Sequence, residues 1–342
     1  MNSILKKATL KEVANKAGVS IATVDRVITK RAKVSPHTKE KVLAVIEELA
    51  QQHTHHPISQ KELKLGVIIE SGATFIEALS QTIEHAKIHF AEQKIQLECL
   101  AIVDFDLSHF LQQLKQYAEQ FDGLIVLSRE LPQIVSTINK LVEQGTPVVT
   151  LTSDLNNCTR LSHAGTNQIS AGRTAGTLMG HYLNKMQGDI LLVMSATYTT
   201  QYERELGFRS VLRNKFPNLR IREAIKNNDS DEDSYIAICR EVDTNSIPLG
   251  IYNTSGGNAG IAKALREKGL DHDIVFIAHE LNKVTKNLLL EDTIDIIIDQ
   301  NLEENVHNAV TLLGHYLRTG ETLTIKTPFP TIITKENIGF IP

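Results

Sequence analysis

Polar and aromatic residues stand at the ends of short apolar runs between residues 65 and 300, where they could bind a small molecule. The set comprises Glu70, Phe75, Asp154, Arg204, Asn253, His279, Glu280 and Gln300. Carboxylates, amides and a guanidinium supply paired hydrogen-bond donors and acceptors, and an aromatic ring can cover a C–H face. This combination suits a polyhydroxylated ligand. The alternative is that a polar residue only caps the following helix, which fits Ser153 and Thr254 better than Arg204 or Gln300.

Enzymatic chemistry finds little support in the sequence. Residues 253–260, NTSGGNAG, are glycine-rich and follow a predicted strand, but they have neither the P-loop nor the dinucleotide-binding spacing. A GxSxG nucleophile elbow does not occur. One polar segment is crowded with acids, a pattern typical of a solvated surface; these are Asp229, Asp231, Glu232 and Asp233. We therefore predict no catalytic residues and no cofactor, and we expect that the protein is not an enzyme.

A metal site is also not expected. His53, His55 and His56 lie within four residues on a polar stretch. They lack the matched fourth ligand that a structural zinc site needs. A partly protonated tether is the favoured interpretation of these histidines.

The elements that must position the ligand-binding candidates follow from two alternating patterns. Eight apolar runs read as buried parallel strands: LGVIIE, IQLECLAI, GLIVLS, PVVTLTS, DILLVMS, GIYNT, IVFIAHE and IDIIIDQ. Helical patterns separate them, among others at residues 76–91, 107–120, 131–144, 169–185 and 203–215. This alternation predicts doubly wound parallel sheets, which bind ligands beyond the carboxyl ends of their strands. Because the strands are too many for one compact sheet, we expect two lobes with a cleft.

Length and charge indicate the class of protein. With 42% hydrophobic residues, the 342-residue chain can bury the cores of two or three domains. The first fifty residues hold ten lysines and arginines against five acids, although the whole chain has a net charge of −4. A basic segment on an acidic body predicts nucleic-acid contact at one end. A solvated, lysine-rich helix face is the alternative.

Cysteine usage and apolar runs indicate the compartment. Cys99, Cys158 and Cys239 are odd in number and widely spaced, as expected for reduced thiols of a cytosolic protein. No apolar run reaches the length of a membrane span or of a signal peptide core. The expected location is the cytoplasm, without membrane contact.

The basic segment carries the pattern of a helix-turn-helix. Thr9 caps a first helix that ends at Gly18, Ser20 caps a second, and a third begins after Ser35. Two short helices joined by a glycine-containing turn are typical of this motif. A generic three-helix packing module is the alternative.

The outward positions of the second helix would face the DNA major groove. Arg26 can donate two hydrogen bonds to guanine, worth roughly 1–3 kcal/mol of discrimination. Ile21 and Ala22 can contact thymine methyl groups, whereas Lys33 and Lys39 would lie near phosphates.

Residues 9–49 resemble the DNA-binding head of the lac repressor family; they read TLKEVANKAGVSIATVDRVITKRAKVSPHTKEKVLAVIEEL. The turn at 17–20 and the core residues Thr23, Val24, Arg26 and Val27 carry the resemblance. It implies a sequence-specific regulator that binds double-stranded operator DNA as a homodimer. The implied DNA-binding set is Thr9, Ser20, Ile21, Ala22, Thr23, Arg26, Lys33 and Thr38. Asp25 departs from the family, in which a small hydroxyl residue is more common.

The linker, residues 51–64, differs from its counterpart in that family. Family members carry a short hinge helix here, whose leucine wedges into the DNA minor groove and kinks the duplex. In this chain Gln60 stands in the leucine's place and Pro57 interrupts the helix position. We therefore predict weak or no bending of DNA by this hinge.

Residues 65–342 resemble the family's effector domain, which shares the fold of periplasmic sugar-binding proteins. Arg204 stands where the family's ligand-clamping arginine lies, and Gln300 matches a glutamine that binds sugar in transport proteins. The segment 165–176, GTNQISAGRTAG, matches the passage into the second lobe. His279 and Glu280 replace the common strand-end aspartate. A sugar, a sugar acid or a polyol therefore remains the expected ligand.

Pattern and resemblance together predict the domain organisation. An all-α helix-turn-helix head occupies residues 1–50, followed by the linker. The effector-binding and dimerisation domain, residues 65–342, is α/β, with the two-lobed type I periplasmic-binding-protein-like fold of two doubly wound parallel sheets. The first lobe is expected at about 65–162 and 296–325, and the second at about 163–295 and 326–342.

These features are interpreted as a ligand-responsive transcription factor, which in the family it resembles is most often a repressor. The chain ends at KENIGFIP without the leucine heptads of the family's tetramers, so a dimer is expected. The alternative is a sugar-binding protein or a sensor without operator function. That alternative leaves the basic head unexplained.

Overall fold

The computed structural model describes residues 10–29, 34–35, 38–39, 41–45, 61–195, 198–222, 225–227 and 229–338. The chain divides into two units, Met1–Gln60 and Lys61–Pro342, here called the head and the body. Several predicted features lie outside the described residues; they concern Thr9, Lys33, His53, His55, His56, Pro57 and Gln60.

Two short helices and a tight turn form the first part of the head. These are α1, Leu10–Ala17, and α2, Ile21–Thr29. Gly18 has a φ of +64°, a left-handed conformation that only glycine adopts without steric cost. The side chain of Ser20 accepts a hydrogen bond from the backbone N–H of Thr23 at 3.2 Å and so caps α2. The predicted helix-turn-helix is confirmed.

A small core of valines and alanines holds the head together. Residues 38–39 and 41–45 are helical, and Ser35 accepts from the Thr38 backbone N–H at 3.1 Å. The buried side chains come from all three helical segments: Val13, Ala14, Ala17, Val24, Val27, Val42 and Val45. Because these side chains are small, the helices can pack closely, and the outer face of α2 stays exposed.

The body alternates strands and helices, as the sequence pattern predicts. Its strands are β1 Leu63–Glu70, β2 Ile95–Ile102, β3 Gly123–Leu127, β4 Val148–Leu151, β5 Ser162–Ala164, β6 Gly188–Met194, β7 Leu219–Ile221, β8 Ile225–Lys226, β9 Gly250–Asn253, β10 Val275–His279, β11 Ile296–Asp299 and β12 Thr331–Ile333. Its helices are α3 Ala73–Ala91, α4 Leu107–Gln120, α5 Pro132–Glu143, α6 Gln168–Tyr182, α7 Thr199–Lys215, α8 Asp231–Thr244, α9 Asn258–Glu267, α10 Lys283–Leu290 and α11 Leu302–Thr319.

The strands form two sheets, which define two lobes. The first sheet has the order β2-β1-β3-β4-β5, and all of its pairs are parallel. The second has the order β12-β11-β10-β9-β6-β7, with β8 also paired to β6. Its pairs are parallel except β11 with β12, which is antiparallel. The two-lobed α/β fold with parallel sheets is confirmed, with one antiparallel strand at the edge.

The chain passes between the lobes at different residues from those expected. Strand β5 pairs with β4, so residues 163–164 belong to the first lobe. Strand β11 pairs with β10, so the return at residue 296 is wrong and the crossing follows Gln300. Hydrogen bonding between strands decides which sheet a strand joins, and a local apolar pattern carries no information on that pairing. The body also begins earlier, because β1 starts at Leu63 instead of residue 65.

Both faces of each sheet are covered by helices. In β1, for example, Val67 and Ile69 pack into one apolar cluster and Ile68 into another on the opposite face. This double burial explains why the strands are continuous apolar runs without polar alternation. It also leaves the strand ends as the places where polar side chains can gather. Within the described residues, the structure has no helix long and apolar enough to cross a membrane.

Candidate functional site

A cleft lies between the carboxyl ends of the two sheets of the body. Its cavity volume in this closed arrangement is about 40 Å³. The first lobe lines it with Ser71, Gly72, Thr74, Phe75, Leu127, Thr152 and Ser153, and the second with residues that include Tyr198, Gln201, Arg204, Asp229, Thr254, Glu280 and Gln300. Four of the eight ligand-binding candidates therefore line one cavity: Phe75, Arg204, Glu280 and Gln300.

Arg204 is the central cation of the cleft. It lies on the first turns of α7 and is 2% exposed. Its Nε donates to Gln168 Oε1 at 2.8 Å, its Nη1 to the Thr254 carbonyl at 2.8 Å, and its Nη2 to Gln300 Oε1 at 3.3 Å. A buried guanidinium needs such acceptors to offset the loss of water. The network therefore holds Arg204 in one position.

Gln300 connects this network to the crossing between the lobes. Its side-chain amide donates to Glu280 Oε1 at 3.1 Å, and its Oε1 also accepts from Gln168 at 3.1 Å. Its backbone carbonyl accepts from the Thr166 hydroxyl at 2.6 Å and from Asn305 Nδ2 at 2.8 Å. Because Thr166 and Gln300 stand on two of the chain's crossings, a change of the lobe angle is coupled to this network.

Glu280 Oε1 lies 3.7 Å from Arg204 Nη1, and only 20% of the Glu280 side chain is exposed. Burial raises its pKa to about 7, against the opposing charge of Arg204, and Asp229 adds to the rise. Its φ of +70° is rare for a residue with a side chain. Strained backbone that persists is concentrated at functional sites.

His279 points away from the cleft. Its Nε2 lies 2.8 Å from the Tyr252 hydroxyl, inside the second lobe. Burial, with the nearby charge of Arg204, lowers its pKa well below the usual value, so it is neutral near pH 7. The structure thus places His279 in the core beneath the cleft and only Glu280 in its wall.

Glu70 bridges the two lobes from the end of β1. Its carboxylate accepts from Arg129 Nη2 at 2.6 Å within the first lobe and from the Tyr198 hydroxyl of the second lobe at 2.8 Å. Thr199, the next residue after Tyr198, forms a second hydrogen bond between the lobes: its hydroxyl donates to Glu130 Oε2 at 2.9 Å. The start of α7 is thereby held against the first lobe. Glu70 does not line the cavity itself, but it binds Tyr198, which does.

We expect Tyr198→Phe to open the cleft by removing this bridge. A hydrogen bond to a charged group contributes roughly 1.5–3 kcal/mol, so the balance between closed and open lobes should shift by a large factor. Small-angle X-ray scattering would show an increased radius of gyration. Tyr252→Phe removes a hydroxyl within one lobe and serves as the control. Equal scattering curves for both variants would contradict the bridge.

Thr152 and Ser153 present unused hydroxyls from the first lobe. They are 4% and 2% exposed, and within the described residues neither hydroxyl has a hydrogen-bond partner. Thr152 has a φ of +62°, an unfavourable conformation for a β-branched residue. Both residues line the cavity. Buried polar groups without a partner are rare in native proteins.

Like Glu70 and His279, the two remaining ligand-binding candidates lie outside the cavity lining. Asp154, just beyond the strained turn, accepts from Thr150 at 2.8 Å and forms an ion pair with Arg160. Asn253 is fully buried and holds the turn after β9, where its Oδ1 accepts from the Ser255 backbone at 3.1 Å. Both side chains are bonded within local structure, and neither lines the cavity.

Asp229 lines the cavity although its sequence pattern indicated a solvated loop. Its Oδ2 accepts from the Ser195 hydroxyl and its Oδ1 from the Gly256 N–H, both at 2.7 Å. The strand before it, β8, has only two residues. No apolar run could therefore mark this strand end in the sequence. Its neighbours on α8 do lie in a first helical turn, where acids complement the helix dipole.

The described part of the head exposes the residues expected to contact DNA. Ile21 is 47% exposed, and Ala22 and Arg26 are exposed beside it on α2. The hydroxyls of Ser20 and Thr23 lie 2.9 Å apart at the start of the helix. This arrangement leaves an apolar patch and one guanidinium free to enter a groove.

Both units of the chain match known protein families. Residues 65–322 match the periplasmic binding protein domain family, and residues 9–52 match the lacI family of bacterial regulatory proteins. The chain belongs to the periplasmic binding protein domain family through its body, and its head carries a DNA-binding domain of the lacI family.

Among curated relatives, the probable HTH-type transcriptional regulator EndR of Paenibacillus polymyxa is 26% identical over 60% of this chain and 60% of that protein. The sucrose operon repressor of Pediococcus pentosaceus is 34% identical over 42% of this chain and 43% of its own length. The chain thus matches about half the length of these relatives.

Solved structures share the fold of the body. The glucose-galactose binding protein GanP of Geobacillus stearothermophilus has a TM-score of 0.73 at 21% identity, covering 81% of this chain and 99% of that one. A solute binding protein of Bacillus halodurans with bound myo-inositol has a TM-score of 0.74 at 13% identity, covering 82% and 98%. At these identities the likeness shows the fold alone.

Proposed function

We propose that this protein is a transcriptional regulator, acting as a repressor, whose affinity for operator DNA depends on a small polyhydroxylated ligand. The observation that carries the proposal is the union of two units in one chain. A helix-turn-helix exposes Ile21, Ala22 and Arg26, and the body encloses a polar cleft between two lobes. The names of its relatives, a sucrose operon repressor and sugar-binding proteins, support the same pairing.

The mechanism follows from the way the cleft joins the lobes. Ligand groups that contact both walls stabilise one lobe angle over another, and the coupling equals the difference in affinity for the two angles. In a cytoplasmic homodimer, the lobe angle sets the spacing of two heads and so their joint affinity for a two-fold operator. Bridges such as Tyr198 to Glu70 hold the closed angle.

The proposal is tested by selecting binding sites from random duplex DNA with the purified protein. A conserved two-fold motif is expected, with an affinity that falls steeply as salt rises because phosphate contacts release counterions. Ligands are then sought by thermal shift, since a ligand at one hundred times its Kd adds about 2.7 kcal/mol of stability. Binding to DNA without any sequence preference would contradict a regulator.

Arg26→Ala is expected to relax the preference at one base pair in each half-site. The loss should be about 1–3 kcal/mol on the selected site and much smaller on DNA with that base changed. Competition binding with single-base operator variants measures the difference. Lys39→Ala is the matched control, because removal of a phosphate contact weakens all sequences alike and lowers the salt slope. The same uniform pattern for Arg26→Ala would show that it contacts phosphate.

A further inference from the structure

The charges around the cleft are distributed unequally between the two lobes. The first lobe contributes only uncharged groups to the lining, among them Ser71, Thr74, Phe75, Thr152 and Ser153. The second contributes one cation, Arg204, and two carboxylates, Asp229 and Glu280. Within the described lining, full ionisation therefore leaves an excess of negative charge.

The guanidinium groups near the cleft are already committed to protein acceptors. Each of the three Arg204 nitrogens donates to a side chain or carbonyl of the second lobe, and Glu280 faces it as a counter-ion. Arg129 is turned onto Glu70 and lies over the Phe105 ring at 4.1 Å. Recognition of a carboxylate or phosphate relies on the fork of an arginine. In the described cleft, Arg204 directs one N–H from each of its three nitrogens at protein acceptors, and Arg129 directs its fork at Glu70.

The carboxylate of Asp229 lies towards the first lobe and, among the residues that the structure describes, has no cationic partner. Within the described residues its carboxylate accepts only from neutral donors, Ser195 and Gly256. Its φ is +57°, so its backbone is held in the left-handed region. A methyl group on Gly72 would lie 2.9 Å from Asp229 Cβ, which shows how closely the aspartate approaches the start of α3. That helix end has no side-chain cap and carries only a partial positive charge.

A second and independent feature of the opposite wall indicates a hydroxylated ligand. Thr152 and Ser153 line the cavity and are more than nine-tenths buried, and neither hydroxyl has a partner among the described groups. A hydroxyl can both donate and accept, which suits the hydroxyls of a ligand better than a charged group. The rings of Phe75 and Tyr198 also line the cavity, and aromatic faces attract cations as well as C–H groups.

We propose that the ligand of this cleft is an amino sugar, whose ammonium group pairs with Asp229 while its hydroxyls pair with Thr152 and Ser153. The inference deepens the proposed function and rests on it. An ammonium beside Asp229 also relieves the repulsion between this carboxylate and Glu280, whose pKa Asp229 helps to raise. The same charges disfavour a sugar acid or a sugar phosphate.

The test compares sugars that differ only in one charged group. In the gluco, galacto and manno series, the probes are the hexose, its 6-amino-6-deoxy and 2-amino-2-deoxy derivatives, and the uronic acid. Calorimetry at about pH 6.5 keeps the amines protonated. In one series an amine should bind at least tenfold more tightly than the hexose, and the uronic acid should bind most weakly. A uronic acid or hexose as the tightest ligand would overturn the proposal.

The Asp229→Asn variant tests whether Asp229 is the carboxylate that pairs with the ammonium group of the ligand. Asparagine keeps the shape of the side chain and tolerates the left-handed backbone. The ratio of amine to hexose affinity should fall at least tenfold, and the uronic acid should bind more tightly than before. Asp273→Asn removes an exposed carboxylate from a turn of the second lobe outside the cavity lining and should leave the ratio unchanged. Equal effects of the two variants would assign the selectivity to net charge and overturn the role of Asp229.

Absence of binding by every sugar in the panel would overturn the amino-sugar assignment. The proposed function has its own measurement, the selection of operator DNA, which needs no ligand. A two-fold DNA motif without sugar binding would therefore reject this inference alone. Failure of the DNA selection would reject the regulator while leaving the amine preference of the cleft measurable.

Discussion

Arg204→Ala is expected to lower the free energy of unfolding of the body by about 3–5 kcal/mol and to abolish ligand binding. The guanidinium is 2% exposed, and its loss leaves the acceptors on Gln168 and Thr254 unpaired in the interior. It also removes the counter-ion of Glu280. Urea denaturation and calorimetry of the purified variant measure the two effects.

The free energy of unfolding that is lost in Arg204→Ala should increase as the pH rises. Burial raises the pKa of Glu280 to about 7 even beside Arg204, and without the cation it should rise further. A carboxyl whose folded pKa is raised stabilises the protein below its unfolded pKa, and that contribution is lost as pH rises through the folded pKa. The stability lost on replacing Arg204 should therefore be larger at about pH 8 than at about pH 6, and Glu280→Gln in the variant should remove this difference.

Arg209→Ala is the matched control on the same helix. Arg209 pairs with Glu205 one turn away at 2.7 Å, and both side chains are more than 20% exposed. Such a pair contributes about 1 kcal/mol or less. Similar losses for Arg204→Ala and Arg209→Ala, or a loss that does not depend on pH, would show that the buried network is not what holds Arg204.

The local pattern of the sequence predicts the strands and helices of the body because each strand is buried on both faces. Apolar runs such as β1 and β10 are unbroken for this reason, and polar residues mark their ends. What the pattern does not contain is the partner of each strand. Strand β11 is as apolar as any in the first lobe, and only its hydrogen bonds to β10 place it in the second.

The site could be predicted where a strand end leads directly into the cleft. Phe75, Arg204, Glu280 and Gln300 were predicted this way and line the cavity, and their role in binding stays a prediction. After β4 the prediction chose the carboxylate, Asp154. The backbone of Thr152 is left-handed, and Thr152 and Ser153 line the cavity, whereas the carboxylate of Asp154 accepts from Thr150 and pairs with Arg160.

Asp229 could not be predicted as a cavity residue because the strand that precedes it, β8, is very short. A strand of two residues is too short to produce a period, so the polar segment around it resembles a surface loop. The carboxylate of Asp229 accepts a hydrogen bond from the Gly256 backbone N–H, and these two residues are adjacent only in the folded chain. Contacts of this kind depend on tertiary structure, and no local pattern of one sequence records them.

Gly172→Ala is expected to separate the two helices that carry the Arg204 network. A methyl group at Gly172 on α6 would lie 1.9 Å from the Arg204 carbonyl oxygen on α7, and one at Gly207 would lie 2.2 Å from the Ile169 carbonyl oxygen. Because both obstacles are backbone, no change of rotamer relieves the overlap. Overpacking of a core costs about 1–3 kcal/mol and occasionally more, and we expect about 3 kcal/mol or more here.

Moving α6 away from α7 should weaken ligand binding in the cleft as well as the packing of the core. Gln168 begins α6 and accepts from Arg204 Nε at 2.8 Å, so a shift of about 1 Å between the helices breaks that bond geometry. The melting temperature should fall by roughly 6–12 °C, and ligand affinity should fall with it. Differential scanning calorimetry with and without the ligand measures both quantities.

Gly314→Ala on α11 provides the comparison. Its new methyl group would meet only the end of the Ile95 side chain at 3.0 Å, which can move, and alanine in a helix is favoured over glycine by about 0.8–1.0 kcal/mol. Stability near or above that of the unmodified protein is expected for this control. If Gly172→Ala were equally stable, α6 and α7 could part at little cost, and the close helix contact would not be what positions Arg204.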